Sequence, residues 1–269
     1  MNPAPGPVTA AAAAAARAIA GRRAWFCDLD GTLVDSGPVH EAAFRDAITE
    51  IAPELLGSFR YDAHAGTGTR EVVAGLGAAG DVARRLVRRK QELYRGYVDA
   101  GMVAPFPGAR RLLDLLADRG RTPYLVTGGS RGSVERVLAA CSLGGCFRGV
   151  LTADDVPWNK PDPRFYLRAC RDWAVPPDGA VAVEDSVHGV ASAVGAGLVT
   201  LQVHAAGPAA GAVAVRDLDE IASLLEAEDG GGFETEPETG PRTGPRTEPR
   251  TEPRTGLETE SETEDGDSE

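Results

Sequence analysis

The chain has 269 residues, 42% of them hydrophobic and 25% charged, enough apolar material for one sizeable core and a small second domain. No apolar run reaches the length of a membrane-spanning helix, which excludes an integral helical membrane protein. Of the formal charge of −12, residues 226–269 hold −11, from 15 acidic residues and 4 arginines; the remainder is nearly neutral and has no basic footprint for nucleic acid.

Residues 1–22 are rich in Pro, Gly and Ala and include an alanine tract from Ala10 to Ala16. They lack a charged segment followed by a strongly apolar one, so they read as a disordered or loosely helical extension, not a signal peptide. Ala24-Trp25-Phe26-Cys27 then reads as a buried strand that ends abruptly in Asp28 and Asp30. Strand alternation places both carboxylates on one side, and the turn at Gly31-Thr32 brings them to the strand's C-terminal end. Like charges that close need a cation between them or a shared proton. The pattern suits a Mg2+ site in which one carboxylate attacks and the other moves a proton; a strand followed by an acidic turn is the plainer alternative.

From Pro38 the periodicity is helical. Val39, Ala43, Ala47, Ile48 and Ile51 mark one helix; a Gly/Thr loop runs from Ala65 into another at Glu71. A long helix from Asp81 to Asp99 carries Val82, Leu86, Leu93, Tyr94 and Tyr97 on its apolar side. Residues 38–103 thus read as an all-helical insert, the arrangement expected of a cap over an active site. After Pro107 the chain alternates helix and strand: a helix at Ala109–Leu116, a strand from Pro123 ending in Thr127-Gly128-Gly129-Ser130, and a helix around Val137. Val150-Leu151 is the next strand and Asp162-Pro163 opens a helix; a strand from Ala180 ends in Glu184-Asp185. A small-residue helix, a strand at Leu198–Val203 and a closing helix begun by an Asp217/Glu220 capping box complete it.

This order predicts an α/β fold: a three-layer, Rossmann-like parallel sheet built from residues 23–37 and 104–225, with the small helical cap at 38–103. Ligands in such sheets sit beyond the C-terminal strand ends, where Asp28, Asp30, Thr127, Glu184 and Asp185 all fall. Residues 226–269 repeat Thr-Gly/Glu-Pro-Arg four times and carry no apolar periodicity, so they are expected to be disordered, serving as a solubilising tail or a binding arm. Cys27, Cys141, Cys146 and Cys170 lack metal-ligand spacing and read as reduced thiols of a cytoplasmic protein.

Asp28-Leu29-Asp30-Gly31-Thr32-Leu33-Val34-Asp35-Ser36 resembles the first motif of the haloacid dehalogenase-like superfamily. Val126-Thr127-Gly128-Gly129-Ser130-Arg131, Asn159-Lys160-Pro161-Asp162-Pro163 and Val183-Glu184-Asp185-Ser186-Val187-His188-Gly189-Val190 resemble its second, third and fourth, in order. The resemblance covers residues 24–206 and implies phosphoryl transfer through an aspartyl-phosphate on Asp28, with Asp30 as acid and base. It implies that Thr127, with a neighbouring N–H at Gly128, holds the phosphoryl group and that Lys160 supplies positive charge. Asp28, the Asp30 carbonyl and Asp185 would bind Mg2+, with Glu184 acting through water. His40, Arg70 and Lys90 are similar to sugar- or phosphate-contacting cap positions of the beta-phosphoglucomutase-like members.

The resemblance therefore implies a Mg2+-dependent phosphatase of a small phosphorylated metabolite, monomeric or dimeric. A sugar-phosphate mutase is the alternative, and a non-catalytic protein binding through its tail a lesser one. Asp30 argues against the dehalogenases and the phosphonoacetaldehyde hydrolases, which lack a second acid there. Gly128 stands where many members carry Asn, and Asn159 where many carry Gly.

Overall fold

Four consecutive apolar residues without polar alternation are stable as a strand only where both faces are covered. Ala24–Cys27 meets that condition at the centre of the sheet. In the computed structural model, which describes residues 10–64, 66–205 and 207–229, the chain runs α1 (Ala10–Ile19), β1 (Ala24–Cys27), β2 (Val34–Asp35), α2 (Gly37–Ile51), α3 (Thr69–Gly75), α4 (Gly80–Asp99) and β3 (Ala104–Pro105). It continues through α5 (Ala109–Asp118), β4 (Thr122–Val126), α6 (Arg131–Ala140), β5 (Val150–Leu151), α7 (Arg164–Asp172) and β6 (Ala180–Glu184). α8 (Val187–Gly195), β7 (Val199–Gln202), β8 (Val213–Ala214) and α9 (Leu218–Asp229) follow.

Six strands form one sheet in the order β5-β4-β1-β6-β7-β8, and every neighbouring pair is parallel. The α/β sheet with helices on both faces is the architecture expected from the alternating pattern. Since later strands were added first on one side of β1 and then on the other, the crevice lies at the C-terminal end of β1, between β4 and β6. Alternation along β1 divides the core. Trp25 and Cys27 pack with Leu112, Leu116, Leu125 and Val181 on one face, and Phe26 packs with Tyr124, Tyr166 and Ala182 on the other. The Phe26 ring meets Tyr124 edge-on at 5.6 Å and Trp173 at 5.4 Å, a favoured aromatic geometry.

α2–α4 are inserted between β2 and β3, which pair antiparallel as a two-stranded ribbon (Val34↔Pro105, Asp35↔Ala104). The insert has its own apolar cluster around Phe44, Ile48, Phe59, Val72 and Leu86. Its inner side, Val39, Ala43, Tyr94 and Val98, joins the main core. α4 buries Leu86, Lys90, Tyr94 and Val98, one residue every four, so a lysine occupies a core position on this helix. Val82, expected on that face, is 37% exposed because it lies one helical turn beyond the packed stripe.

Two boundaries differ from expectation. Residues 10–19 of the extension expected to be disordered or loosely helical form a packed helix, α1, which buries Ala15, Ala16 and Ile19 in the main core. Alanine is the best helix former, and Arg22 and Arg121 satisfy the last carbonyls by donating to Ala18 O at 2.7 Å and Ile19 O at 3.1 Å. At the other end α9 runs to Asp229, past the assigned start of the tail at 226. Glu226 accepts from Arg111 at 2.7 Å and Glu228 pairs with Arg121. Residues 1–9 and 230–269, including the repeats, lie outside the described residues.

Candidate active site

The end of β1 is shaped by one carbonyl. Leu29 O accepts from Thr32, Leu33 and Val34 N–H groups at 3.3, 2.9 and 3.1 Å, closing a tight loop that turns at Gly31. Gly31 has φ +82°, and a Cβ there would stand 2.3 Å from Asp185 Oδ2, so only glycine fits. Asp28 is thereby held at the sheet edge, its N–H on Val183 O at 3.0 Å.

Around Asp28 the surroundings come from the sheet. Lys160 Nζ donates to Asp28 Oδ1 at 2.7 Å, Glu184 Oε1 at 2.6 Å and Val126 O at 2.9 Å. Tyr166 donates to the same Glu184 oxygen at 2.6 Å. Burial pushes the Asp28 carboxyl up to about 7; Lys160 opposes that and Glu184 adds to it. Asp185 is raised to about 7 as well, by burial and by Asp28, although the Thr32 hydroxyl donates to it at 3.0 Å. Burial acts against the Lys160 ammonium, but its two carboxylate partners outweigh it and hold the group charged.

Asp30 faces the other way. His40 Nε2 lies 3.3 Å from Asp30 Oδ1, and the Tyr94 hydroxyl donates to the same oxygen at 3.2 Å. Lys90 Nζ donates to His40 Nδ1 at 2.7 Å, which fixes the imidazole as the tautomer carrying its proton on Nε2, toward Asp30. Burial, then Lys90, lowers the His40 pKa, so the ring is neutral at pH 7. Burial would raise the Asp30 carboxyl, but the His40 hydrogen bond, the Ser36 hydroxyl and the Lys90 charge outweigh it and favour the anion. Lys90 itself is lowered to about 8 by burial, with Asp30 opposing.

Asp28, Asp30, Thr127, Gly128, Lys160, Asp185, His40, Arg70 and Lys90 all line one cavity of about 460 Å3 between the sheet edge and the helical insert. Glu184 does not line it; the side chain lies fully buried beneath. Gly189 makes that burial possible, since a Cβ there would come within 1.9 Å of Glu184 Oε2. Thr127 Oγ1 accepts from Gly129 N at 3.1 Å, leaving its own proton free to donate into the cavity. Arg70 is exposed at the cavity's insert side and has no ion-pair partner among the described residues. The side chain of Asp30 is occupied by His40 and Tyr94, apart from the one acidic cluster found among the described residues that could hold a metal ion. That cluster is Asp28, Glu184 and Asp185, with oxygens within 4.8 Å of one another.

The family model of haloacid dehalogenase-like hydrolases matches residues 23–197. The chain belongs to this family. It is 30% identical over 188 residues to the protein CbbY of Rhodobacter capsulatus, covering 65% of this chain and 82% of the relative. It is 31% identical over 188 residues to fructose-1-phosphate phosphatase YqaB of Escherichia coli, covering 65% of this chain and 93% of the relative. The crystal structure of CbbY from Rhodobacter sphaeroides in complex with phosphate superimposes with a TM-score of 0.64 at 28% identity, covering 76% of this chain and 96% of that one.

Sequence reasoning missed three neighbours of the site, Tyr94, Tyr166 and Glu71, and gave Asn159 only as part of the third motif. Tyr94 and Tyr166 sit on apolar helix faces, and only the carboxylates they meet reveal their hydroxyls as donors. Glu71 and Asn159, 88 positions apart, join across the cavity mouth at 2.7 Å. His64, His188 and His204 do not line the cavity.

Proposed function

We propose that this chain is a Mg2+-dependent phosphatase that hydrolyses a small sugar phosphate or related metabolite through an aspartyl-phosphate on Asp28. One observation carries the reading: two carboxylates two residues apart have opposite surroundings. Asp28 sits against Lys160, and Asp30 is held by residues of the insert. The fructose-1-phosphate phosphatase among the relatives supports the substrate class.

Asp28 attacks phosphorus while Asp30 gives a proton to the departing oxygen; Asp30 then takes a proton from the water that cleaves the aspartyl-phosphate. Alone, Asp30 favours the anion. A phosphate dianion arriving beside it disfavours that charge, so substrate entry brings the proton the acid role needs. The Thr127 hydroxyl and the Gly128 N–H hold the phosphoryl oxygens, and Lys160 supplies fixed positive charge.

The residues fit Mg2+. The cluster is all oxygen, its carboxylates crowd one another, and Glu184 Oε2 is buried with no hydrogen-bond partner among the described residues. Asp28, Asp185 and the Asp30 carbonyl would hold the ion, with Glu184 acting through water. When bound, Mg2+ supplies charge neutralisation at the phosphoryl oxygens.

The insert serves as the cap, excluding water and bulky phosphoproteins from a cavity of metabolite size, with His40, Arg70 and Lys90 on its side. The four cysteines are free, in keeping with a cytoplasmic location. A sugar-phosphate mutase is the second reading, carried by Arg70, which has no ion-pair partner among the described residues and could take a second phosphate. The test is phosphate release from a panel of small phosphate esters with Mg2+, for the native protein and Asp28→Asn. Release by the native protein alone supports the phosphatase; interconversion of hexose 1- and 6-phosphates without release supports the mutase.

A further inference from the structure

A carboxylate can meet a metal ion well only if the backbone that carries it is held, and groups that touch the ligand without touching the ion set its orientation. Asp185 lies between two elements. β6 ends at Glu184, whose carbonyl accepts from Val203 N at 2.8 Å, and α8 begins at Val187. Support for Asp185 comes instead from the end of β7. Gln202, only 4% exposed, donates from Nε2 to the Asp185 carbonyl at 2.8 Å, and its Oε1 accepts from Ala209 N at 2.6 Å. Turned over, the amide would set oxygen against oxygen and N–H against N–H, so its orientation is fixed.

His204, two residues on, reaches the same carboxylate by a longer route. Its Nε2 donates to the Thr32 carbonyl at 3.2 Å, and the Thr32 hydroxyl donates to Asp185 Oδ1 at 3.0 Å. The ring stacks on Phe106, with centroids 4.2 Å apart. His204 has φ +59°, a left-handed conformation that a non-glycine residue keeps only where its surroundings hold it. Residues 202, 203 and 204 thus each bond a carbonyl of the loops that carry the acidic cluster: Asp185, Glu184 and Thr32 in turn.

We propose that the segment 202–204 positions Asp185 for the metal ion, with Gln202 as the principal positioning residue and the exposed His204 as a lesser one. Neither side chain lines the cavity, so both act through Asp185. Without the Gln202 donor the peptide after Asp185 is free to turn. The ion must then order that loop before its near-octahedral demands are met, which weakens binding. The proposal rests on the reading of Asp28, Glu184 and Asp185 as the Mg2+ site.

The experiment titrates the full chain, without substrate, with Mn2+, which takes the same oxygen ligands, and follows the free ion by electron paramagnetic resonance. The native protein is compared with Gln202→Met, Gln202→Leu, His204→Gly, His204→Asn and Asp185→Asn. D185N should abolish the saturable site and leave only the background from other carboxylates. Q202M should raise Kd about tenfold, and Q202L is a second apolar filling should the first not fold. H204G accepts the left-handed backbone but lacks the donor, and should raise Kd about threefold. Asparagine tolerates the same backbone and keeps a donor, so H204N should stay within about twofold of native. A variant that is merely part-folded binds fewer ions per chain with the native constant, so the stoichiometry separates folding from positioning. A native Kd in folded Q202M or Q202L would overturn the role of Gln202. A native Kd in H204G, or an H204N as weak as H204G, would overturn the donor role of His204. If D185N bound Mn2+ as the native protein does, the reading of the metal site would fail and the positioning role with it.

Discussion

Asp28 and Asp30 are separated by one residue, yet different parts of the chain hold them. Asp28 is secured by the sheet, through Lys160, the Val126 carbonyl and Glu184 beneath. Asp30 is secured by the insert, through His40 on α2 and Tyr94 on α4, with Lys90 behind His40. On the proposed mechanism, covalent bond formation would depend on groups fixed in a close-packed core, whereas proton transfer would depend on helices joined to that core by two two-residue strands. The teaching is that stability and activity should separate differently on the two sides.

The largest effect is expected at Lys160. Lys160→Met leaves the buried Asp28 and Glu184 carboxylates facing each other without a cation, which should cost about 3–5 kcal/mol of stability. Activity should fall at least about a thousandfold, as fixed charge at the phosphoryl group is lost. Asp28→Asn makes the contrast: phosphate release should drop about ten-thousandfold while urea unfolding shows a folded protein. If both variants kept native stability, the claim that the sheet side couples the two properties would fail.

On the insert side His40→Ala should lower kcat about a hundredfold and shift Tm by only a few degrees, measured by calorimetry beside steady-state kinetics. Lys90→Met should go further in separating activity from stability. The folded lysine titrates near 8 against an ordinary value of 10.5, because burial disfavours its charge. Below pH 8 both states carry the proton and the native protein bears the full cost of the buried charge. Between pH 8 and 10.5 the unfolded chain keeps the proton that the folded one gives up, so native stability rises with pH, by up to about 3 kcal/mol. The Phe44 and Tyr94 rings, at 4.6 and 4.9 Å from Nζ, offset part of that cost. K90M should therefore be more stable than the native protein at pH 7, lose that advantage by pH 10, and run about tenfold slower because His40 Nδ1 has lost its donor. Urea unfolding at the two pH values checks the sign.

The two sides also differ in how far the sequence reveals them. Strand ends announce themselves, because an apolar run that stops at Asp28, Thr127 or Glu184 marks both the strand and its functional edge. The insert hides its chemistry. Tyr94 and Lys90 share the i, i+4 stripe of Leu86 and Val98, and burial alone does not separate a phenol packed as a ring from one aimed at a carboxylate. Lys90 and His40 were legible only through family resemblance, since a basic run on a long helix is ordinarily solvated. The docking of α1 is hidden for a related reason: an alanine tract has no face until a partner supplies one, here the main core that takes Ala15, Ala16 and Ile19. The two-residue strands β2, β3 and β8 are too short for any periodicity to register.

The smallest expected effect tests whether the sheet side and the insert also meet directly at the cavity mouth. Asn159 stands beside Lys160, and its Nδ2 donates to Glu71 Oε1 at 2.7 Å, while the other Glu71 oxygen accepts from Gly68 N at 2.8 Å at the start of α3. One carboxylate thus caps an insert helix and ties it to the loop that carries the lysine. Both groups are exposed, so the bond competes with water and is worth about 1 kcal/mol at most. Asn159→Gly, which removes the side-chain donor, should raise KM about three- to fivefold with kcat and Tm nearly unchanged. Glu71→Ala should add a small loss of stability, because the cap of α3 goes with the tie. A kcat loss in N159G as large as that in H40A would mean that the tie bears on chemistry and not only on substrate retention, and the division between sheet and insert would have to be redrawn at Asn159.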